Sequence, residues 1–95
     1  MVRPKKTRRI SRFAEATYFK PRAIPLSELE EVSLGNEEVE ALGLRFIEKL
    51  DQEKAASKMG ISRTTFWRIL GSAGEKISDA LINGKAIRIE GRAKK

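Results

Sequence analysis

The sequence predicts a mainly α-helical fold. Its centre is a helix-turn-helix with a long second helix, preceded by an extended basic arm and followed by a short β-strand. Three observations carry this. Apolar residues recur at helical spacing from about residue 36 to residue 83, with capping residues and breakers at the joins. Two prolines, Pro21 and Pro25, interrupt the segment before it. Residues 85–90 alternate polar and apolar, the period of a strand. A chain of 95 residues has room for one domain. Within it, residues 1–26 read as the arm and the proline-containing segment, and residues 27–95 as the helix-turn-helix domain with its strand.

Each element has a local reason. Residues 1–12 hold six bases and no acid, a composition that does not fold alone. Phe13, Tyr18, Phe19, Ile24 and Leu26 come next, and the prolines among them favour extended chain lying over a core. Ser27 and Glu30 have capping-box spacing, so a short helical turn is expected from Ser27. Gly35 breaks the chain and Asn36 is the expected N-cap of a first helix, with Glu37 and Glu38 in its dipole-favoured first turn. Val39, Leu42, Phe46 and Leu50 mark its inner face to about Leu50. Asp51 caps a second helix through Ala55, Ala56 and Met59, which stops at Gly60. Ser62 caps a third, whose stripe is Phe66, Ile69, Leu70, Ala73, Ile77, Ala80 and Leu81. Gly71 and Gly74 soften it, and it ends at Asn83 and Gly84. The strand at residues 85–90 needs a partner for its backbone. Residues 9–13 and the same strand of a second subunit are the two expected.

Twenty Lys and Arg against 13 Asp and Glu give a net charge of +7, but the charge is segregated. Residues 1–27 carry eight bases and one acid, residues 28–53 two bases and nine acids, and residues 54–95 ten bases and three acids. A polyanionic partner would meet the two ends of the chain, not its middle. With no Cys and no His, disulfides, Cys/His metal sites and His-based triads are excluded. No apolar run approaches the roughly 18 residues of a membrane span, and no signal-peptide core comes after the basic start. The expectation is a cytoplasmic, nucleoid-associated protein with no membrane partner, no cofactor and no metal.

The informative stretch is QEKAASKMGISRTTFWRILG, residues 52–71. Two crossing helices need a small residue where they meet, and Ala56 is there. The sharp turn needs positive φ, and Gly60 is placed to adopt it. Ala55, Met59, Ile61, Phe66 and Ile69 fall at inward positions. The second helix of the pair is capped by Ser62 and turns Arg63, Thr64, Trp67 and Arg68 outward in its first turns. A helix so placed enters the DNA major groove, where Arg pairs with guanine edges and Thr meets a base or a phosphate. Gln52, at the start of the preceding helix, is placed to hold a phosphate, with Lys54 and Lys58 beside it. Trp67 fits a DNA surface or an interface with the arm or a second subunit. Tyr18 and Phe19 fit apolar anchors better than base-stacking groups. The acids between Glu28 and Glu40 fit an acidic helix start better than an acid/base pair, and no nucleophile–base pair is present. No enzymatic activity is expected.

On these residues the chain resembles uncharacterised protein family 0251, small prokaryotic proteins described as probable DNA-binding. The resemblance covers nearly the whole chain. It runs from Arg3-Pro4-Lys5-Lys6 through Tyr18-Phe19-Lys20-Pro21, Ile24-Pro25-Leu26 and Glu38-Val39-Glu40-Ala41-Leu42. It continues through Gln52-Glu53-Lys54-Ala55-Ala56, Met59-Gly60-Ile61-Ser62-Arg63, Ala80-Leu81-Ile82-Asn83-Gly84-Lys85-Ala86 and Ile89-Glu90-Gly91. The helix-turn-helix is also similar to region 4 of bacterial sigma factors, which implies a long recognition helix reading DNA. Three positions depart from the family pattern. Thr7 and Ser11 stand near where members carry Cys, Gly74 near where a basic residue is usual, and Gly43 where a larger residue is common.

The reading is therefore a sequence-specific double-stranded DNA-binding protein and transcriptional regulator. Ser62, Arg63, Thr64, Trp67 and Arg68 meet the major groove, Gln52 a phosphate, and Arg3, Lys5, Lys6, Arg8 and Arg9 the phosphates or an adjacent minor groove. A homodimer is expected, because so small a module buries little surface on DNA and its strand lacks a partner. The alternatives are a protein-interaction module using the acidic block and an RNA-binding protein using the basic arm.

Overall fold

A computed structural model of the chain describes residues 9–10 and 18–90. Among these the architecture is mainly helical with a small mixed sheet. The elements are β1 (Tyr18–Phe19), a 3₁₀ turn (Leu26–Glu28), β2 (Glu31–Leu34), α1 (Asn36–Leu42) continuing as a π-helical turn (Gly43–Ile47), α2 (Gln52–Met59), α3 (Arg63–Asn83) and β3 (Ala86–Ile89). No described helix is long and apolar enough to cross a membrane.

The sheet has the order β1-β3-β2. β3 runs antiparallel to β1, with Tyr18 opposite Arg88, and parallel to β2, with Leu34 opposite Ile89. The C-terminal strand is thus central and finds both partners within the chain. Neither residues 9–13 nor a second subunit is needed to satisfy it. Residues 11–17 lie outside the described residues, and Arg9 instead bonds through its N–H to the Met59 carbonyl at 3.0 Å. β2 has no counterpart among the elements expected from sequence. Its four residues place only Val32 and Leu34 at strand period, too short a pattern to read, and its pairing is with residues more than fifty positions on.

The short turn expected at Ser27 is a single 3₁₀ turn that begins at Leu26, entered from Pro25, with no side-chain cap. Proline fits the start of such a turn because its N–H would go unpaired anyway. The first helix is capped at Gly35 and not at Asn36. The third residue of the helix, Glu38, reaches back, and its Oε1 accepts from the Gly35 N–H at 2.7 Å.

The inner face expected for that helix also changes. The Glu48 N–H bonds to the Gly43 carbonyl at 2.9 Å, five residues back, so one extra residue enters the last turn. The extra residue rotates the remainder of that turn. Leu44 enters the core, whereas Phe46 is 56% and Ile47 75% exposed. The exposed Phe46 ring lies under the Arg45 guanidinium at 5.6 Å.

The other two helices obey their local signals. Asp51 Oδ1 accepts from the Lys54 N–H at 2.8 Å. Gly60 takes φ 70°, and Ser62 Oγ accepts from the Thr65 N–H at 3.1 Å. α3 passes without interruption through Gly71 and Gly74 and ends at Gly84 with φ 68°. Two cores flank it. One gathers Ala41, Leu44, Ala55, Ala56, Met59 and Phe66 between the helices. The other packs Ala73 against Leu34 and Ile89 of the sheet. Leu81, expected in the buried stripe, is 75% exposed, because the sheet covers α3 from the side of Ala73, Ile77 and Ala80.

Candidate nucleic-acid interface

α2 and α3 are joined by residues 60–62, and this junction positions every candidate residue on the two helices. Ala55, Ala56 and Met59 of α2 are buried against Phe66, which has no exposed surface. Burying those residues turns the opposite side of α3 outward. Arg63, Thr64, Trp67 and Arg68 are all exposed within its first two turns. Trp67 is 59% exposed, and an exposed face this large is uncommon for tryptophan. Arg63 and Arg68 form no hydrogen bond or ion pair among the described residues. The Ser62 hydroxyl is engaged in the cap, accepting from the Thr65 N–H and donating to Thr65 Oγ1 at 3.0 Å. Gln52 is half-buried at the first position of α2.

Arg9 is the one described member of the basic arm among the candidates. Its Nη2 donates to the Ser57 carbonyl at 3.1 Å, and its guanidinium lies against Gly60. It caps the C-terminal carbonyls of α2, where the helix dipole favours a cation. Arg9 therefore sits beside the turn that leads into α3. Arg3, Lys5, Lys6 and Arg8 lie outside the described residues.

A cleft of about 260 Å³ between the start of α1 and α3 is lined by Glu37, Glu38, Thr65, Arg68, Ile69 and Ser72. Glu38 is only 7% exposed and is held from three sides. Ser72 Oγ donates to it at 2.6 Å, Lys76 Nζ at 3.0 Å and the Gly35 N–H at 2.7 Å. Burial pushes its carboxyl upward, but these bonds outweigh burial and hold it below the ordinary glutamate range. The sequence pattern makes Glu38 a solvated acid favouring a helix start. It is instead the polar link between α1 and α3. Ser72 and Lys76 give no sequence signal for that, lying more than thirty residues away. Lys76 also donates to the Ser33 carbonyl at 2.7 Å, tying β2 to the same point. At the far end of α3, Lys85 bridges Asp79 at 2.9 Å and Glu30 at 3.3 Å.

The fold defines a small, mainly helical domain with a three-stranded sheet and one outward helix face rich in polar and aromatic groups. The family described as protein of unknown function DUF134 matches residues 1–95, and the chain belongs to it. It is 57% identical over 91 residues to a UPF0251 protein of Moorella thermoacetica, an alignment covering 96% of this chain and 61% of the relative. Against a UPF0251 protein of Desulforudis audaxviator the identity is 56%, covering 96% and 60%. Against one of Pelotomaculum thermopropionicum it is 54%, covering 96% and 69%. The chain thus spans about three fifths of the length of the first two. No solved structure matches it.

Proposed function

We propose that the protein binds double-stranded DNA sequence-specifically and acts as a transcriptional regulator, with α2 and α3 serving as a helix-turn-helix of the sigma region 4 type. One observation carries the reading. The first two turns of α3 present together a threonine, an exposed tryptophan and two arginines that are unpaired among the described residues. They do so on a helix whose other side is fixed by a dry core. Arg63 and Arg68 have the fork geometry that reads guanine, and Thr64 and Trp67 offer contacts to phosphate and thymine methyl. Arg9, anchored beside the turn, adds a basic residue at the end of the domain where α3 begins, where phosphates of the bound duplex would lie.

Selection from a random duplex library with the purified protein tests this. An enriched motif is expected, and a folded sample that enriches nothing overturns the reading. Within that motif, Arg63→Ala weakens binding by about 1–3 kcal/mol and relaxes one base position. Removing residues 1–8 lowers the salt dependence by about 0.9 in log–log slope for each phosphate that the arm neutralises.

A further inference from the structure

α3 carries a second message in the same outward face. At about 100° per residue, Trp67, Gly71, Gly74, Ser78 and Leu81 share one stripe, with Ile82 at its edge. A Cβ added at Gly71 or Gly74 would meet nothing within 4 Å. Internal packing therefore requires neither glycine, although each weakens the helix relative to alanine. Bare backbone in mid-helix leaves room for a close approach from outside the chain. The stripe is apolar at both ends. Trp67 is exposed on one side of the glycines, and Leu81 and Ile82, at 75% and 80%, on the other. Charge is polarised along the same face, with Arg68 before the glycines and Glu75 after them. Neither has an ion pair among the described residues.

We infer that this face seats α3 of a second copy of the chain, antiparallel, about a two-fold axis passing between Gly71 and Gly74. That axis brings Arg68 of each copy to the turn holding Glu75 of the other, twice over. It lays each Trp67 across the small Ser78, flanked by Leu81 and Ile82, and lets the two backbones approach at the glycines. The helix dipoles also oppose favourably. A parallel arrangement would leave Arg68 without Glu75 of the other copy and align the two helix dipoles unfavourably. The isologous contact closes on itself, as a stable dimer requires. Trp67 and Arg68 belong to both surfaces, so the dimer and DNA compete for one face. This competition alone rests on the proposed function.

The mass of the full chain, measured by sedimentation without nucleic acid over a wide concentration range, tests the inference independently of any DNA result. The wild type is expected to associate to a dimer. Arg68→Glu and Glu75→Arg each weaken association about tenfold, and the double reversal restores it. Gly74→Leu, in open space and so compatible with folding, gives a monomer with unchanged helical circular dichroism. A wild type that stays monomeric throughout overturns the inference, as does association indifferent to the reversals and to Gly74→Leu. A duplex bound by the intact dimer overturns the shared face.

Discussion

The two sides of α3 are built from different distances along the chain. On the helix-pair side, Phe66 packs with Ala41, Leu44, Ala55, Ala56 and Met59, all within about 25 positions of it and all apolar. On the sheet side, Ala73 meets Leu34 and Ile89, which are 55 positions apart, and a buried carboxylate, Glu38, supplies the tie to α1. The core of the first side is apolar and is held by dispersion and the hydrophobic effect. The second has less apolar bulk and depends on hydrogen bonds whose partners must all be present. The outward face is set by the first side, since the packing of Phe66 decides which residues of α3 point away.

The largest test strikes that contrast at its strongest point. Phe66→Ala removes the largest fully buried side chain among the described residues and should cost about 3–5 kcal/mol, read as a decrease in unfolding free energy in urea. A cost as small as that of a surface residue would show that the helix pair does not carry the fold. Next, Glu38→Ala should cost about 1–3 kcal/mol, at the lower end because Lys76 keeps partial solvent contact.

The same residue makes the sheet side pH-sensitive. A carboxyl held below its unfolded value contributes stability above the ordinary glutamate range, and that contribution is lost as pH falls through the depressed folded value. Thermal unfolding measured below the ordinary glutamate range should therefore lose less stability in Glu38→Gln than in the wild type. Equal losses would remove Glu38 from the acid response. Ser62→Ala, at the junction, should cost about 1 kcal/mol, with the loss seen first as fraying of α3 in hydrogen exchange. The smallest effect has the opposite sign. Gly74→Ala stabilises the chain by about 0.5–1 kcal/mol at concentrations where it is monomeric. A destabilisation there would mean that a neighbour fills the space beside Gly74.

The contrast also separates what is legible in the chain from what is not. Asp51, Gly60, Ser62 and Gly84 act within four residues of themselves, and each ends or starts the helix expected of it. The inward set is legible for the same reason, since Ala55 and Met59 stand one turn apart on α2 and Phe66 falls four residues after the Ser62 cap on α3. The run from Val39 to Leu50 misleads because a period argument assumes an unbroken α-helix. The π-helical turn at Gly43–Ile47, with its i→i+5 bond to the Gly43 carbonyl, shifts the last turn and puts Phe46 outside. β2 and its pairing with β3 are invisible because parallel pairing joins segments separated by the whole helical array.

The candidate site divides the same way. Arg63, Thr64, Trp67 and Arg68 can be placed outward from the sequence, since Phe66 and the Ser62 cap fix the phase of α3. That Arg9 folds back onto the end of α2, that Glu38 bonds Ser72 and Lys76, and that Leu81 stands in solvent cannot be read there.

By itself, the sequence determined the helices, most of their caps and the phase of the face that α3 turns outward, because those depend on neighbours one turn away. The tertiary structure alone decided which strands pair, which acids are buried and which apolar groups of α3 stay uncovered. Those outcomes depend on surfaces brought together from distant parts of the chain, and no local pattern encodes which surface will arrive.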